Sequence, residues 1–297
     1  MAIIKTLKVL GQKRPETLLE NLIKKHAKIN PDVKLDIPKF KKQITTRYRN
    51  YRTTSRHLIV HTTQLLEKFS KDPKLKNAEF VFLDRDALPY MYIAREICPK
   101  FGFTKEQFKP AKITNKAEQQ IDDVLRYLNI PEDTIISIKS NGEEINKISK
   151  RLSNTQELKN LKTIISQEID LTKPVVVIDS GIRGTAVKKY QILLKAINPE
   201  IQTFSSMFMT EFYSGLHTDY TIDKTKPINL QEVESTPKFT GKLLKTETQK
   251  HKIKIRRQNH SNPEKKYDGG FSDPVNAEIF MIALRNTLAR YKKENGI

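Results

Sequence analysis

Four consecutive β-branched residues, Val175-Val176-Val177-Ile178, place the tightest constraint on what this chain can fold into. A strand with no polar residue on either face has to be covered on both faces. Single-sided sheets are thereby excluded for this segment, and helices on each side of it become the expectation. The residues after the strand narrow the choice further. Asp179 ends the apolar run, Ser180, Gly181 and Gly184 allow a tight loop, and Thr185 opens a helical pattern.

The same strand–charge–helix pattern occurs earlier. Glu79–Leu83 is a short apolar run that ends in Asp84-Arg85-Asp86, with a helical pattern from there to about Ile97. Further strands are predicted over Phe108–Ile113, Thr134–Ile138 and Ile201–Thr210. Helices are predicted over 14–29, Lys39 to about Phe69, Asn115–Leu128, 143–167, Gly184 to about Ala196, and Asp273 to about Tyr291. Asp273-Pro274 is a natural helix start, because Asp caps and Pro fits the first turn. Strands alternating with helices imply an α/β fold with a mainly parallel sheet and flanking helices, preceded by a helical N-terminal module. The division expected is a basic helical module over 1–76 and an α/β domain over 77–297.

Charge is unevenly spread. The formal net charge is +20. Residues 1–78 hold 19 Lys/Arg against 6 Asp/Glu, and residues 238–266 hold 10 against 2. A nearly neutral body is thus flanked by two basic segments, which attract polyanions or multiply phosphorylated small molecules. Within 238–266, Lys250, Lys252, Lys254, Arg256 and Arg257 alternate with aliphatic residues or follow them. That pattern suits either an edge strand with one cationic face, able to bind nucleic acid, or a solvated edge that resists aggregation. On the long N-terminal helix, Arg47, Arg49, Arg52 and Arg56 lie opposite the apolar positions, whereas Tyr48 and Tyr51 fall on the apolar face and are expected in the core. His57 and His61 are four apart but lack a third ligand at metal spacing. Cys98 is the single cysteine, which excludes an intramolecular disulfide and a cysteine zinc cluster. No apolar run approaches the roughly 20 residues that cross a bilayer. Lys5 and Lys8 interrupt the first apolar stretch, so no secretory signal is expected and the cytoplasm is the expected location.

Chemistry concentrates at the two charged strand ends. In an open parallel sheet, ligands sit beyond the carboxyl ends of the strands. Unpaired N–H groups at a helix start favour phosphate, and Arg183 can add a bidentate contact. Ser180, Gly181, Arg183, Gly184 and Thr185 are therefore the candidate phosphate binders. Asp179 can accept hydrogen bonds from sugar hydroxyls or hold a metal ion through water. Asp84 and Asp86, with Arg85 between them, are costly at a strand end unless they are used. A glycine turn and an ion-paired turn are the plainer alternatives for the two segments.

VVVIDSGIRGT resembles the 5-phosphoribosyl 1-diphosphate loop of type I phosphoribosyltransferases, and FLDRDALPYMYIARE is similar to that family's earlier strand–loop–helix. The resemblance implies that Asp179 holds the ribose hydroxyls and Gly181–Thr185 cup the 5-phosphate. Arg85 meets the diphosphate, and Mg2+ arrives with the substrate, helped by Asp179. Ser180 stands where the family usually has a second acid. A divergent form of the family, found with bacterial polysaccharide-synthesis proteins, is similar over about residues 79–240. The matching residues are Arg85-Asp86, then Asp179, Gly181, Gly184 and Thr185, then Glu234-Ser235-Thr236-Pro237. FLDRDALP also resembles the first motif of haloacid-dehalogenase phosphatases, which implies Asp84 as nucleophile, Asp86 as general acid and bridging magnesium. The expected ligand is a phosphorylated sugar or nucleotide. Transfer of a phosphoribosyl group is the enzyme reading, a magnesium phosphatase is the rival, and nucleic-acid binding on a degenerate nucleotide fold is the non-enzymatic alternative.

Overall fold

The computed structural model describes residues 21–24, 37–83, 87–111, 115–153, 156–179, 184–207, 218–221 and 273–297. The elements in chain order are α1 (Ile37–Ser70), β1 (Glu79–Leu83), α2 (Leu88–Ile97), β2 (Phe108–Ala111), α3 (Asn115–Tyr127), α4 (Glu143–Leu152), α5 (Gln156–Glu168), β3 (Val175–Asp179), α6 (Thr185–Ile197), β4 (Thr203–Met207), β5 (Tyr220–Thr221) and α7 (Asp273–Glu294). The strands form one sheet in the order β2-β1-β3-β4-β5, and every pairing is parallel. The α/β class expected from the buried strands is what the chain forms. None of the helices among the described residues is long and apolar enough to cross a membrane.

Both faces of the sheet are covered, and the pleat sorts side chains between them. Phe80, Phe82, Val176 and Ile178 point into one core with Leu65 and Phe69 of α1, Tyr90 and Ile93 of α2, and Phe280 and Leu284 of α7. Their alternating neighbours Val81, Leu83, Val175 and Val177 enter the other core, against Ile121 of α3, Ile148 of α4, Ile165 of α5 and Ile192 of α6. A strand side chain alternates faces at every residue, so a fully apolar strand feeds two cores at once. The helix between β1 and β2 lies on one face and those between β2, β3 and β4 on the other. Right-handed crossovers require this when the strand order reverses, as it does between β1 and β3.

The boundary expected between residues 76 and 77 falls on the turn joining α1 to β1, and packing runs across it. The first core contains residues of α1, α2, α7 and the sheet together. Tyr48 and Tyr51 are buried, as their places on the apolar face of α1 predict. Tyr51 meets Phe280 edge to face at 5.4 Å, and Asn286 Nδ2 donates to Tyr48 Oη at 2.9 Å. Arg49 and Arg56 are exposed, and Arg52 is half-buried. Buried Ser55 and Thr62 donate to the carbonyls of Tyr51 and Leu58 one turn back, which removes the cost of their hydroxyls in an apolar surround.

Several local expectations are corrected. Residues Thr134–Ile138 are not a strand: Glu132–Ser137 is a 3-10 helix. Thr134 Oγ1 donates to Pro131 O at 2.8 Å and Ser137 Oγ to Thr134 O at 2.7 Å, each closing a three-residue turn. Ile135 and Ile138 are buried three apart, the spacing at which a 3-10 helix repeats. Residues 143–167 form two helices, α4 and α5, rather than one. Strand β4 covers Thr203–Met207, two residues inside the expected start at Ile201, and residues 208–210 of the expected strand lie outside the described residues. Of the expected 14–29 helix, residues 21–24 are helical and the rest lies outside the described residues. Strand β5 was not expected. It is fixed to the end of α1 by Tyr220, whose hydroxyl donates to Asp72 Oδ2 at 2.6 Å and whose ring meets Phe69 at 5.2 Å.

Candidate functional site

The sheet places side by side the two strand ends that precede the charged segments. In the β1–β3 ladder Phe82 pairs with Ile178, so Leu83 and Asp179 are the neighbouring strand ends. Adjacent strands lie about 5 Å apart, and Leu83 is two residues before Arg85. Both strand ends lie at the carboxyl edge at the one place where strand order reverses, where open α/β sheets hold their ligands. Asp179 is partly exposed, in contrast to the four buried residues before it. On its other side it pairs with Met207, so β4 ends at this edge as well.

Of the candidate site residues, Asp179, Gly184 and Thr185 are described, and the structure brings them to this edge. Gly184 precedes the first turn of α6 with φ 69° and ψ −6°, in the left-handed region. Its carbonyl accepts from Lys188 N at 3.2 Å. A side chain at this φ is strained, so Gly184→Ala is expected to cost about 1–2 kcal/mol, read as a fall in the denaturation midpoint. Thr185 opens α6 and is partly exposed. Asp84, Arg85, Asp86, Ser180, Gly181 and Arg183 lie outside the described residues, as do Lys250, Lys252, Lys254, Arg256, Arg257 and Glu234–Pro237.

Magnesium needs hard oxygen ligands, and one or two carboxylates suffice when substrate phosphates supply the rest. Asp179 fits that role. Among the described residues no three His, Cys, Asp or Glu groups converge as a self-sufficient metal site. Cys98 is buried, and burial pushes its thiol up to about 11, so it is no thiolate nucleophile at neutral pH.

Two features of the described residues were not read from the sequence. One is a polar knot on β4. The Asp219 carboxylate accepts from Ser205 N at 2.7 Å, Ser205 Oγ at 2.8 Å and Ser140 Oγ. Asn141 Nδ2 donates to Thr203 O at 2.9 Å, and Thr203 Oγ1 donates to Ser140 O at 3.0 Å. These bonds offset the burial of Thr203 and Ser205 in the polar strand TFSSM, whereas buried Ser206 Oγ has no hydrogen-bond partner among the described residues. The other is Lys188 in the first turn of α6, 1% exposed, with no hydrogen-bond partner for Nζ among the described residues. The signal available in the sequence was a lysine pair, Lys188-Lys189, inside a helix that connects two strands of a doubly covered sheet.

Burial pushes the Lys188 ammonium down to about 8, and the Asp219 carboxylate pulls the other way. Below about pH 8 the side chain is charged in both folded and unfolded chains, and the folded state carries the whole penalty. Between there and the ordinary lysine value of 10.5 the unfolded chain holds more protons, so this group's contribution to stability improves as pH rises. The relief is on the order of 3 kcal/mol. It is checked by comparing denaturation midpoints of the wild type and Lys188→Met at pH 7 and pH 10: the gap between them should close.

Compared with known proteins, the chain matches no family model, no curated protein and no solved structure, so the geometry alone carries the functional reading.

Proposed function

We propose that the protein binds a phosphosugar or nucleotide at the carboxyl edge of the sheet, in the manner of a phosphoribosyltransferase-like domain. The observation that supports this reading is the parallel register of β1 on β3, which makes neighbours of the strand ends that precede Asp84–Asp86 and Ser180–Arg183 in the chain, at the reversal of strand order. One segment then faces each end of a ligand such as 5-phosphoribosyl 1-diphosphate. Gly181–Thr185 take the 5-phosphate with backbone N–H groups and the Arg183 guanidinium, and Arg85 takes the diphosphate. Asp179 accepts from the ribose hydroxyls and supports the magnesium carried by the diphosphate.

Such a site acts by positioning and electrostatics, not by a covalent intermediate. Transfer, where it occurs, breaks the bond from C1 to the diphosphate oxygen, forms a bond from C1 to the acceptor, and releases pyrophosphate. Ser180 in place of a second carboxylate weakens the hold on the hydroxyls and makes binding the firmer part of the reading. Calorimetric titration with 5-phosphoribosyl 1-diphosphate and Mg2+ tests it. Saturable magnesium-dependent binding is expected, and no heat at millimolar ligand would end the proposal. Phosphate release from an aryl phosphate, lost in Asp84→Asn, would instead mark the site as a phosphatase.

A further inference from the structure

Helix α1 carries a row of cations on its outer face. Over residues 37–66 it contains no Asp or Glu. Its first acid is Glu67, and Lys71 occupies that carboxylate at 2.8 Å. Lys42, Arg49 and Arg56 are exposed and follow one another at intervals of seven residues, with half-buried Arg52 on the flank. Seven residues are close to two turns, so the three form one row about 21 Å long. The row lies opposite Tyr51, Leu58 and Leu65, which are buried in the core. Thr46, Asn50 and Thr53 are exposed beside it and carry no charge.

Elsewhere on the described surface several exposed cations sit beside acids. Lys71 pairs with Glu67, Arg126 with Asp123, Lys173 with Asp170 and Arg290 with Glu294. Lys42, Arg49, Arg52 and Arg56 are in no ion pair among the described residues. Like charges three and four residues apart on a helix repel, so Arg49 with Arg52 and Arg52 with Arg56 oppose the free fold. A polyanion lying along the row relieves that repulsion. The groups on the face narrow which polyanion it is. Stacking on unpaired bases needs exposed aromatic rings, and Tyr48 and Tyr51 of this stretch are buried. Insertion into a lipid surface needs an apolar face turned to it. The apolar face of α1 is in the core, and Val60 is its one large exposed hydrophobic residue among the described residues. What the face offers is guanidinium, ammonium, hydroxyl and amide groups, which bond phosphate oxygens and read no sequence there.

We infer that the outer face of α1 is a docking surface for double-stranded nucleic acid, held by its phosphate backbone through Lys42, Arg49, Arg52 and Arg56. The row spans roughly six base pairs at about 3.4 Å each. Each phosphate it neutralises releases counterions, so each cation adds about 0.9 to the slope of log affinity against log salt. The inference stands apart from the phosphosugar reading, because the outer face of α1 is turned away from the sheet whose carboxyl edge holds that site.

The experiment titrates the full chain into a fluorescent DNA duplex of arbitrary sequence, about 20 base pairs long, at salt between about 50 and 200 mM. Two triple variants are compared with wild type. One is Lys42→Gln, Arg49→Gln and Arg56→Gln together. The other is Lys71→Gln, Arg126→Gln and Arg290→Gln, which removes the same charge from cations that have acid partners. The α1 triple is expected to bind at least 10-fold more weakly at about 0.1 M salt, with a slope shallower by about 3 and a thermal midpoint no lower than wild type. The second triple should keep the wild-type slope to within about one. Equal losses in the two triples would reduce the effect to net charge and overturn the inference. So would wild-type affinity in the α1 triple, which puts duplex binding elsewhere on the chain, or a wild type that binds no duplex. A single strand of the same length bound as tightly overturns the duplex assignment. Binding to phosphatidylserine vesicles through these residues, with none to the duplex, gives the face to a membrane instead. A lower midpoint in the α1 triple makes the cations structural and also counts against it. If that triple does not fold, Arg56→Gln alone decides, since its slope should fall by about 0.9 and an unchanged slope overturns the inference.

Discussion

Phe80→Ala is expected to destabilise the protein by about 3–5 kcal/mol, the range for truncating a fully buried aromatic side chain. Phe80 is 0% exposed and sits at the centre of a row of rings. It stacks on Phe69 of α1 at 5.0 Å and on Phe108 of β2 at 4.9 Å, and Phe103 meets it edge to face at 5.0 Å. The ring therefore ties α1 to the sheet, and a cavity at this point loosens both. Its neighbours come from α1, β2 and the turn before β2, and all of them are anchored elsewhere, so the site has little room to collapse. Urea denaturation checks the prediction. A single transition with a lowered midpoint and unchanged slope is expected, since α1 and the sheet share one core. Two separated transitions would show that α1 unfolds as its own unit.

The second large effect concerns binding. Arg183→Ala is expected to weaken 5-phosphoribosyl 1-diphosphate binding about 100-fold, the loss of two charge-assisted hydrogen bonds at roughly 1.5 kcal/mol each. A role confined to the ligand predicts a change in stability of no more than about 0.5 kcal/mol. Asp179→Asn should act differently. It keeps the shape of the side chain and removes the charge, so binding in excess Mg2+ falls while binding of ribose 5-phosphate without metal changes less. Equal losses with and without Mg2+ would place Asp179 on the sugar rather than the metal.

How far the sequence could be read depended on whether a feature was local. Strands β1 and β3 were legible because unbroken apolar runs have one cheap solution, burial on both faces. Helix α1 was legible because its apolar stripe repeats over many turns, and that also placed Tyr48 and Tyr51 in the core. The run around Ile135, Ile136 and Ile138 misled, since a short apolar stretch suits a strand or a tight helix equally and the side-chain bonds of Thr134 and Ser137 decide between them. Strand β4 was placed only approximately, because Thr203 and Ser205 are polar and find their partners, Ser140, Asn141 and Asp219, on distant segments. The adjacency of β1 and β3 was not legible at all. Strand order is tertiary, and chain order alone would put β2 between them. Lys188 was hidden for the same reason: its burial comes from everything packed around α6, none of it near in sequence.

The central claim is that the segments after β1 and β3 are two walls of one ligand site. Hydrogen–deuterium exchange of the full chain, with and without 5-phosphoribosyl 1-diphosphate and Mg2+, addresses it most directly. The account predicts that ligand slows exchange together in peptides spanning 83–88 and 179–186, and leaves unchanged those at the amino edge of the sheet around Glu79 and Val175. Protection confined to one of the two segments, or appearing at the amino edge instead, would contradict it.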